Sequence, residues 1–294
     1  MTVKEVSKSA QQGYVQSYAV PLPVKDLPQW VEKRMPSIRQ LLAFNDYHRA
    51  VPKTGLVIDG LYNGGKKAPD SVLMNRFVDD FLTNPTPRKE ELALSYCPLP
   101  KQYLDFAIAN LPEELQDVDN DTKARFILLL MAIIHQESAF DPNKDSSARA
   151  IGLAQITTDT AAYIMGEEIG FNELLDPAIN IKIAERILYE GLSLRHRDAF
   201  CLEDNDDLKV AAVRYNGGRG RTLRYLRTAE NGQLSTAKIS IGETRNYTEL
   251  VIAKYELYTA LYLDEVAERL QQESMFGSGN SSDILLEYGH YILP

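Results

Sequence analysis

Cysteine is nearly absent from this 294-residue chain, which has only Cys97 and Cys201. Two thiols close at most one bridge, so a disulfide framework is excluded and free buried thiols are the simpler reading. Histidine is scarce too, at four residues. His135 stands in His-Gln-Glu-Ser-Ala, without the second histidine of a zinc motif, and reads as a core or groove residue. No metal is expected. Basic residues are outnumbered, with 32 Lys and Arg against 41 Asp and Glu, a net charge of −9. Phosphate binding needs basic surface, so nucleic acid is excluded as a general partner. An anionic surface would not attract this chain either, and any binding to one must come from a shaped groove. Long apolar runs are missing: Phe126 to Ile134 is far short of the ~18–20 residues of a membrane span, and no membrane insertion is expected. The start, Met1-Thr-Val-Lys-Glu-Val-Ser, lacks the apolar stretch of a signal peptide, so the expectation is a soluble chain made in the cytoplasm. Gly218-x-Gly220 has no strand before it and no third glycine after it, so it is not a dinucleotide fingerprint, and no cofactor is expected.

What is present suffices for a core: 44% hydrophobic and 25% charged residues are ordinary globular values. The length suggests two domains, or one with a substantial extension. Residues 1–28 are polar and then proline-punctuated (Pro21, Pro23, Pro28), an extended lead-in. Residues 29–100 read as a helical N-terminal region: helical spacing from Trp30 to Tyr47, a turn-rich segment from Thr54 to Gly65, and a helix from Ser71 to Leu82. Pro85, Pro87, Pro98 and Pro100 then frame a connector around a short Lys89–Tyr96 stretch. Helices are predicted near 101–111, 122–138, 157–168, 177–195, 206–216, 219–228 and 244–273, with Asp121-Thr122 offering a cap to the second. Few strand patterns and no repeat are visible. The fold class is therefore mainly α, with residues 101–273 as the principal domain. Residues 274–294 comprise a Gly277–Ser282 link and an apolar tail.

Glu137 is the most informative residue. It follows the apolar run just described almost at once and opens Glu137-Ser-Ala-Phe-Asp-Pro142. A carboxyl at the end of a buried helix meets low dielectric, which raises its pKa. A raised pKa is what a general acid needs to hold its proton near neutral pH. Three further segments follow: Ser146-Ser-Ala-Arg-Ala-Ile-Gly152-Leu-Ala-Gln155-Ile, then Tyr215-Asn-Gly-Gly-Arg-Gly220-Arg, then Glu243-Thr-Arg-Asn-Tyr247. In order and spacing these four motifs resemble those of the soluble lytic transglycosylases, relatives of goose-type lysozyme, across roughly residues 120–262.

The resemblance implies a lysozyme-like helical catalytic domain, with a smaller helical N-terminal domain or extension, acting on the glycan strands of peptidoglycan. It implies cleavage of the MurNAc–GlcNAc bond with a single carboxylate, where most glycosidases use two. Glu137 would protonate the leaving oxygen. As carboxylate it would then take a proton from the C6 hydroxyl of the same muramic acid, which closes a 1,6-anhydro ring. Ser146, Gln155, Tyr215, Asn216, Glu243 and Tyr247 occupy the family's substrate-site positions. The Tyr215 hydroxyl would lie near Glu137 and steer its carboxyl, and Tyr247 would reach a sugar acetamido group. Each has a plainer alternative: local capping by Ser146, a structural amide at Gln155, a loop brace at Asn216, a helix-dipole charge at Glu243. Gly152 would permit close backbone approach.

Four positions depart from the family pattern: Arg149 replaces a usual Gly, Ala154 a Met, Arg214 an Ala and Arg219 a Pro. The basic run Arg214, Arg219, Arg221, Arg224, Arg227 reads as a solvated face, or as contacts to substrate carboxylates. Between Trp30 and Leu82, Asp59-Gly60 and Phe77 loosely resemble small peptidoglycan-binding domains, with a plain helical extension as the alternative. A wall substrate without a visible export signal leaves three routes open: a phage lysin with virion partners, an effector of a secretion machine, or a replaced signal peptide. Two competing activities stand beside the first: a muramidase using Asp141, Asp145 or Asp159 to activate water, and a non-catalytic wall-binding or virion structural module.

Overall fold

The structure is a computed structural model, which describes residues 29–62, 70–195 and 201–276. The expected lead-in, Gly-Ser link and apolar tail lie outside them. The described residues are helical, with no strand among them beyond isolated bridges, as the mainly α reading requires. In chain order the helices are α1 (Gln29–Glu32), α2 (Met35–Ala43), α3 (Tyr47–Tyr62), α4 (Asp70–Thr83), α5 (Pro87–Tyr96), α6 (Lys101–Ala109), α7 (Asn120–Ser138), α8 (Thr158–Met165), α9 (Phe171–Leu174), α10 (Pro177–Ser193), α11 (Asn205–Leu226) and α12 (Gly242–Phe276).

α7 is the axis of the fold. Asp119 caps it, accepting the Thr122 N–H at 2.9 Å and the Thr122 hydroxyl at 2.8 Å. The cap therefore falls two residues before the Asp121 position read from sequence. Every residue from Phe126 to Ile134 is fully buried, so the helix is enclosed on all sides rather than amphipathic. Its most extensive partner is the 35-residue α12, which also packs on α4 and α11. One hydrophobic core runs from Val31 in α1 to Leu270 in α12. The proline-framed stretch shares it: Thr86 caps α5, which buries Leu92, Ala93 and Tyr96.

Two local readings are corrected. The segment read as turn-rich is helical as far as Tyr62, because Ala50, Val51, Thr54, Val57 and Ile58 recur at helical spacing and are all buried. Gly55 lies within this helix against the Tyr96 ring, where an added Cβ would stand 3.3 Å from Cε2. Asp59-Gly60 thus sits on a helix, not on the loop that the binding-domain resemblance needs. The single stretch from Trp30 to Tyr47 is split into three, and Asn45 at φ +56° turns the chain between α2 and α3.

Candidate active site

Glu137 lies in the last turn of α7, and the backbone beyond it is sharply turned. Ala139 and Phe140 both adopt positive φ, +52° and +66°. Phe140 is buried and stacks on Tyr103, with ring centres 6.2 Å apart. The Lys144 ammonium donates to the Glu137 carbonyl oxygen at 2.7 Å. The helix end is thereby fixed from both sides of the turn.

The carboxyl itself is met by Tyr247, whose hydroxyl donates to Oε1 at 2.7 Å. Burial pushes the Glu137 pKa from 4.5 up to about 7, although the Tyr247 hydrogen bond and the Lys144 and Lys254 charges pull it down. Desolvation wins, and the carboxyl is close to half-protonated at neutral pH. Burial and the Glu137 charge raise the pKa of both Tyr215 and Tyr247, which keeps their hydroxyls neutral donors. Tyr215 spends its proton on the Ala154 carbonyl, at 3.0 Å. The residue bonded to the carboxyl is thus Tyr247, where the resemblance suggested Tyr215.

The loop from Lys144 to Ile156 forms the next part of the site. Asn180 of α10 holds it from below, fully buried. Its Oδ1 accepts the Ala154 N–H at 2.8 Å, and its Nδ2 donates to the carbonyls of Ile151 and Leu174 at 3.0 and 2.8 Å. Gly152, at φ +76°, is required by this clamp: a Cβ there would stand 2.6 Å from both Asn180 Nδ2 and the Leu174 oxygen. Gln155 donates through Nε2 to the carbonyls of Lys144 and Gly152, both at 3.0 Å. Ser146 Oγ accepts the Ala150 N–H at 3.1 Å. Both side chains therefore brace the loop. Arg149, where the family favours glycine, is exposed at φ +60°.

α11 breaks at Gly218, at φ +74° and ψ 164°, which is the division expected between residues 216 and 219. Asn216 Oδ1 accepts from the Thr244 hydroxyl at 2.8 Å, and Arg221 donates to that hydroxyl at 3.1 Å. This ties the break to the start of α12 and so to Tyr247. The departures Arg214 and Arg219 share one carboxylate, Glu190, at 2.6 and 3.0 Å. Arg224 and Arg227 are exposed. Glu243 is exposed in the first turn of α12 and makes no hydrogen bond or ion pair among the described residues.

Sequence reasoning missed Asn180 and Lys254. Asn180 follows Asp176-Pro177 at the start of a helix, a position with no motif attached. Lys254 looks like an ordinary lysine in a long helix, yet it is buried, donates to Gln136 Oε1 and lies 5.9 Å from the Tyr96 ring centre. His135 is a core residue: its ring packs edge-on to Tyr96 at 4.7 Å, and burial holds its pKa well below the ordinary value. Cys97 beside it is buried and Cys201 is exposed, both as free thiols. Among the described residues no cluster of three or more His, Cys, Asp or Glu could hold a metal ion. None of their helices is long and apolar enough to cross a membrane.

Residues 121–237, which carry Glu137, the clamped loop and the Gly218 break, match the family described as Transglycosylase SLT domain. The chain carries an SLT domain. A Haemophilus influenzae protein provisionally named a soluble lytic murein transglycosylase is 32% identical over 153 residues, 49% of this chain and 24% of that protein. The chain thus spans about a quarter of the length of this curated relative. The 70 kDa soluble lytic transglycosylase of Escherichia coli overlaps 87% of this chain and 42% of its own, at 18% identity and a TM-score of 0.47. An inactive variant of the lytic transglycosylase Slt of Pseudomonas aeruginosa overlaps 88% and 41%, at 16% identity and a TM-score of 0.44. Helix α12, with Tyr247, begins just beyond the SLT domain match.

Proposed function

We propose that this SLT domain protein is a peptidoglycan lytic transglycosylase that cleaves the MurNAc–GlcNAc bond and releases 1,6-anhydro ends. One observation carries the reading: the Glu137 carboxyl, with a pKa pushed up to about 7, held at 2.7 Å by Tyr247 in a segment that matches the family. A carboxyl poised near neutrality can give a proton in one step and take one in the next. In the first step Glu137 protonates the bridging oxygen as the sugar develops oxocarbenium character. The resulting carboxylate is stabilised by the Tyr247 hydroxyl and the nearby Lys144 and Lys254 charges. It then removes the C6 hydroxyl proton, and that oxygen bonds to C1. The attacking oxygen belongs to the same sugar, so its effective concentration is high once the ring is correctly puckered.

Water activation, the muramidase alternative, calls for a second carboxylate across the bond. Asp141 accepts the Asn143 N–H at 3.0 Å within its own turn, and Asp145 and Asp159 are exposed. No observation favours any of them as a base. Purified sacculi digested by the wild type and by Glu137→Gln, with products read by mass spectrometry, test the proposal. Anhydro-ended fragments from the wild type and none from the variant are expected. Reducing ends in place of anhydro ends would overturn the mechanism, and equal digestion by the variant would overturn the assignment of Glu137.

A further inference from the structure

The break in α11 sits between groups that hold both sides of the candidate site. Tyr215 and Asn216 lie just before it, the first donating to the Ala154 carbonyl and the second accepting from the Thr244 hydroxyl. Arg221, just after it, donates to the same hydroxyl. Gly218 itself, at φ +74° and ψ 164°, lies in a region that is essentially glycine's alone, and glycine imposes no single conformation there. Residue 219 opens the second half of the helix. Proline is favoured at such a position because its ring presets φ, but this chain has arginine there. The angle of the break must therefore be held from outside.

Glu190 of α10 holds it. Its Oε2 accepts from Arg214 Nη2 at 2.6 Å, and its Oε1 accepts from Arg219 Nη1 at 3.0 Å. One carboxylate thus joins the helix on both sides of Gly218. Residues five apart on an unbroken helix point about 140° away from each other. Here both side chains converge on one acceptor, so the two-armed bridge favours the broken form. The first arm is dry: Arg214 is buried, and its stem lies over Gly191, where an added Cβ would stand 3.2 Å from Arg214 Cβ and Cγ. Arg214 makes no other hydrogen bond or ion pair among the described residues. Arg219 is 52% exposed, so the second arm reaches Glu190 from the solvent side.

We infer that Glu190 is a positioning residue for the proposed cleavage: by bridging Arg214 and Arg219 it sets the angle of the Gly218 break and, through Asn216, Arg221 and Thr244, the place where Tyr247 meets Glu137. Thr244 and Tyr247 are three residues apart on α12 and therefore neighbours on one face. The inference deepens the glycan-cleaving reading and rests on it for the effect on rate. It also gives the basic run a division of labour, with Arg214, Arg219 and Arg221 bracing the break.

Two substitutions at the exposed arm test it, and both remove the guanidinium. Arg219→Ala frees the break. Arg219→Pro presets φ at the start of the second half-helix, and Gly218, which is not in the α region, accommodates a following proline ring. In Arg219→Ala the Glu137 carboxyl, followed by carbon-13 NMR, should titrate at higher pH than in the wild type, because the Tyr247 hydrogen bond that favours the carboxylate is loosened. Its kcat on purified sacculi should fall about tenfold with KM within about twofold, as for a misplaced group rather than a lost contact. Arg219→Pro should keep both the midpoint and kcat near wild-type values. Glu190→Gln, which removes the charge that both arms share, should move the midpoint in the same direction as Arg219→Ala. Midpoints unmoved in Arg219→Ala and Glu190→Gln, whatever their thermal stability, would overturn the inference. So would an Arg219→Pro protein as impaired as Arg219→Ala, which would point to direct contact between the guanidinium and substrate. A wild type that releases no anhydro-ended fragments would instead sink the glycan-cleaving reading, and the NMR comparison, which needs no turnover, would still decide the role of Glu190.

Discussion

Replacing Glu137 with Gln should change stability in a way that depends on pH, and the structure fixes the sign. The carboxyl titrates near 7 in the folded protein and near 4.5 when solvated. That separation corresponds to about 3 kcal/mol at ~1.4 kcal/mol per pKa unit. Below pH 4.5 both states hold the proton, and Gln is a close mimic of the neutral acid, so wild type and variant should be equally stable. Between pH 4.5 and 7 the unfolded wild type releases its proton while the folded protein retains it, and wild-type stability falls. Above 7 the difference is complete, leaving the Gln variant about 3 kcal/mol more stable. Glu185 and Glu256 are also raised by burial, but they are common to both proteins and cancel in the difference. Urea unfolding of the pair at half-unit steps from pH 4 to 8.5 measures it. A stability difference that stays flat across this range would refute the reasoning, since it would mean that Glu137 ionises alike in both states.

The remaining predictions concern the parts that hold the carboxyl in place. Tyr247→Phe removes the hydrogen bond that favours the carboxylate, so the alkaline limb of the pH–rate profile should move to higher pH while the maximal rate falls about tenfold or more. An unmoved limb would show that the bond does not act on the proton. Gly152→Ala places a Cβ 2.6 Å from the Leu174 oxygen at φ +76°, and should destabilise by about 3 kcal/mol or more in thermal or urea unfolding. Asn180→Ala leaves the Ala154 N–H and two carbonyls without their buried partner. It should lose about 3 kcal/mol, with hydrogen exchange accelerated first in residues 144–156. Arg149→Gly relieves a left-handed residue and should stabilise by up to about 1 kcal/mol, because the gain is partly offset by the freer unfolded chain.

The apolar run just before Glu137 was legible because nine consecutive apolar residues, Phe126 to Ile134, have no polar face to turn outward, so the helix must be central. The glycines at 217, 218 and 220 announced the break in α11. Glycine misled elsewhere: Gly55 and Gly60 suggested turns in α3, but the buried spacing of Val51, Thr54, Val57 and Ile58 outweighs their helix-breaking tendency. Within the candidate site the motif order located the residues without assigning their partners. Ser146 and Gln155 act on their own loop, for which hydroxyls and amides are suited at turns, while Asn216 reaches across to Thr244 at the start of α12. Which tyrosine reaches Glu137 depends on how α12 crosses α7, a relation between residues 110 positions apart that no local pattern encodes. Asn180 and Lys254 were invisible for a related reason: a buried polar residue is identified by its partners, not by its neighbours in sequence.

The most direct test is a carbon-13 NMR titration of the Glu137 side-chain carboxyl, assigned by comparison with Glu137→Gln. The account predicts a midpoint near 7, moving upward in Tyr247→Phe. A midpoint near the ordinary 4.5, unaffected by that substitution, would contradict it: the carboxyl would then be a solvated charge at neutral pH, with no proton to give the glycosidic oxygen.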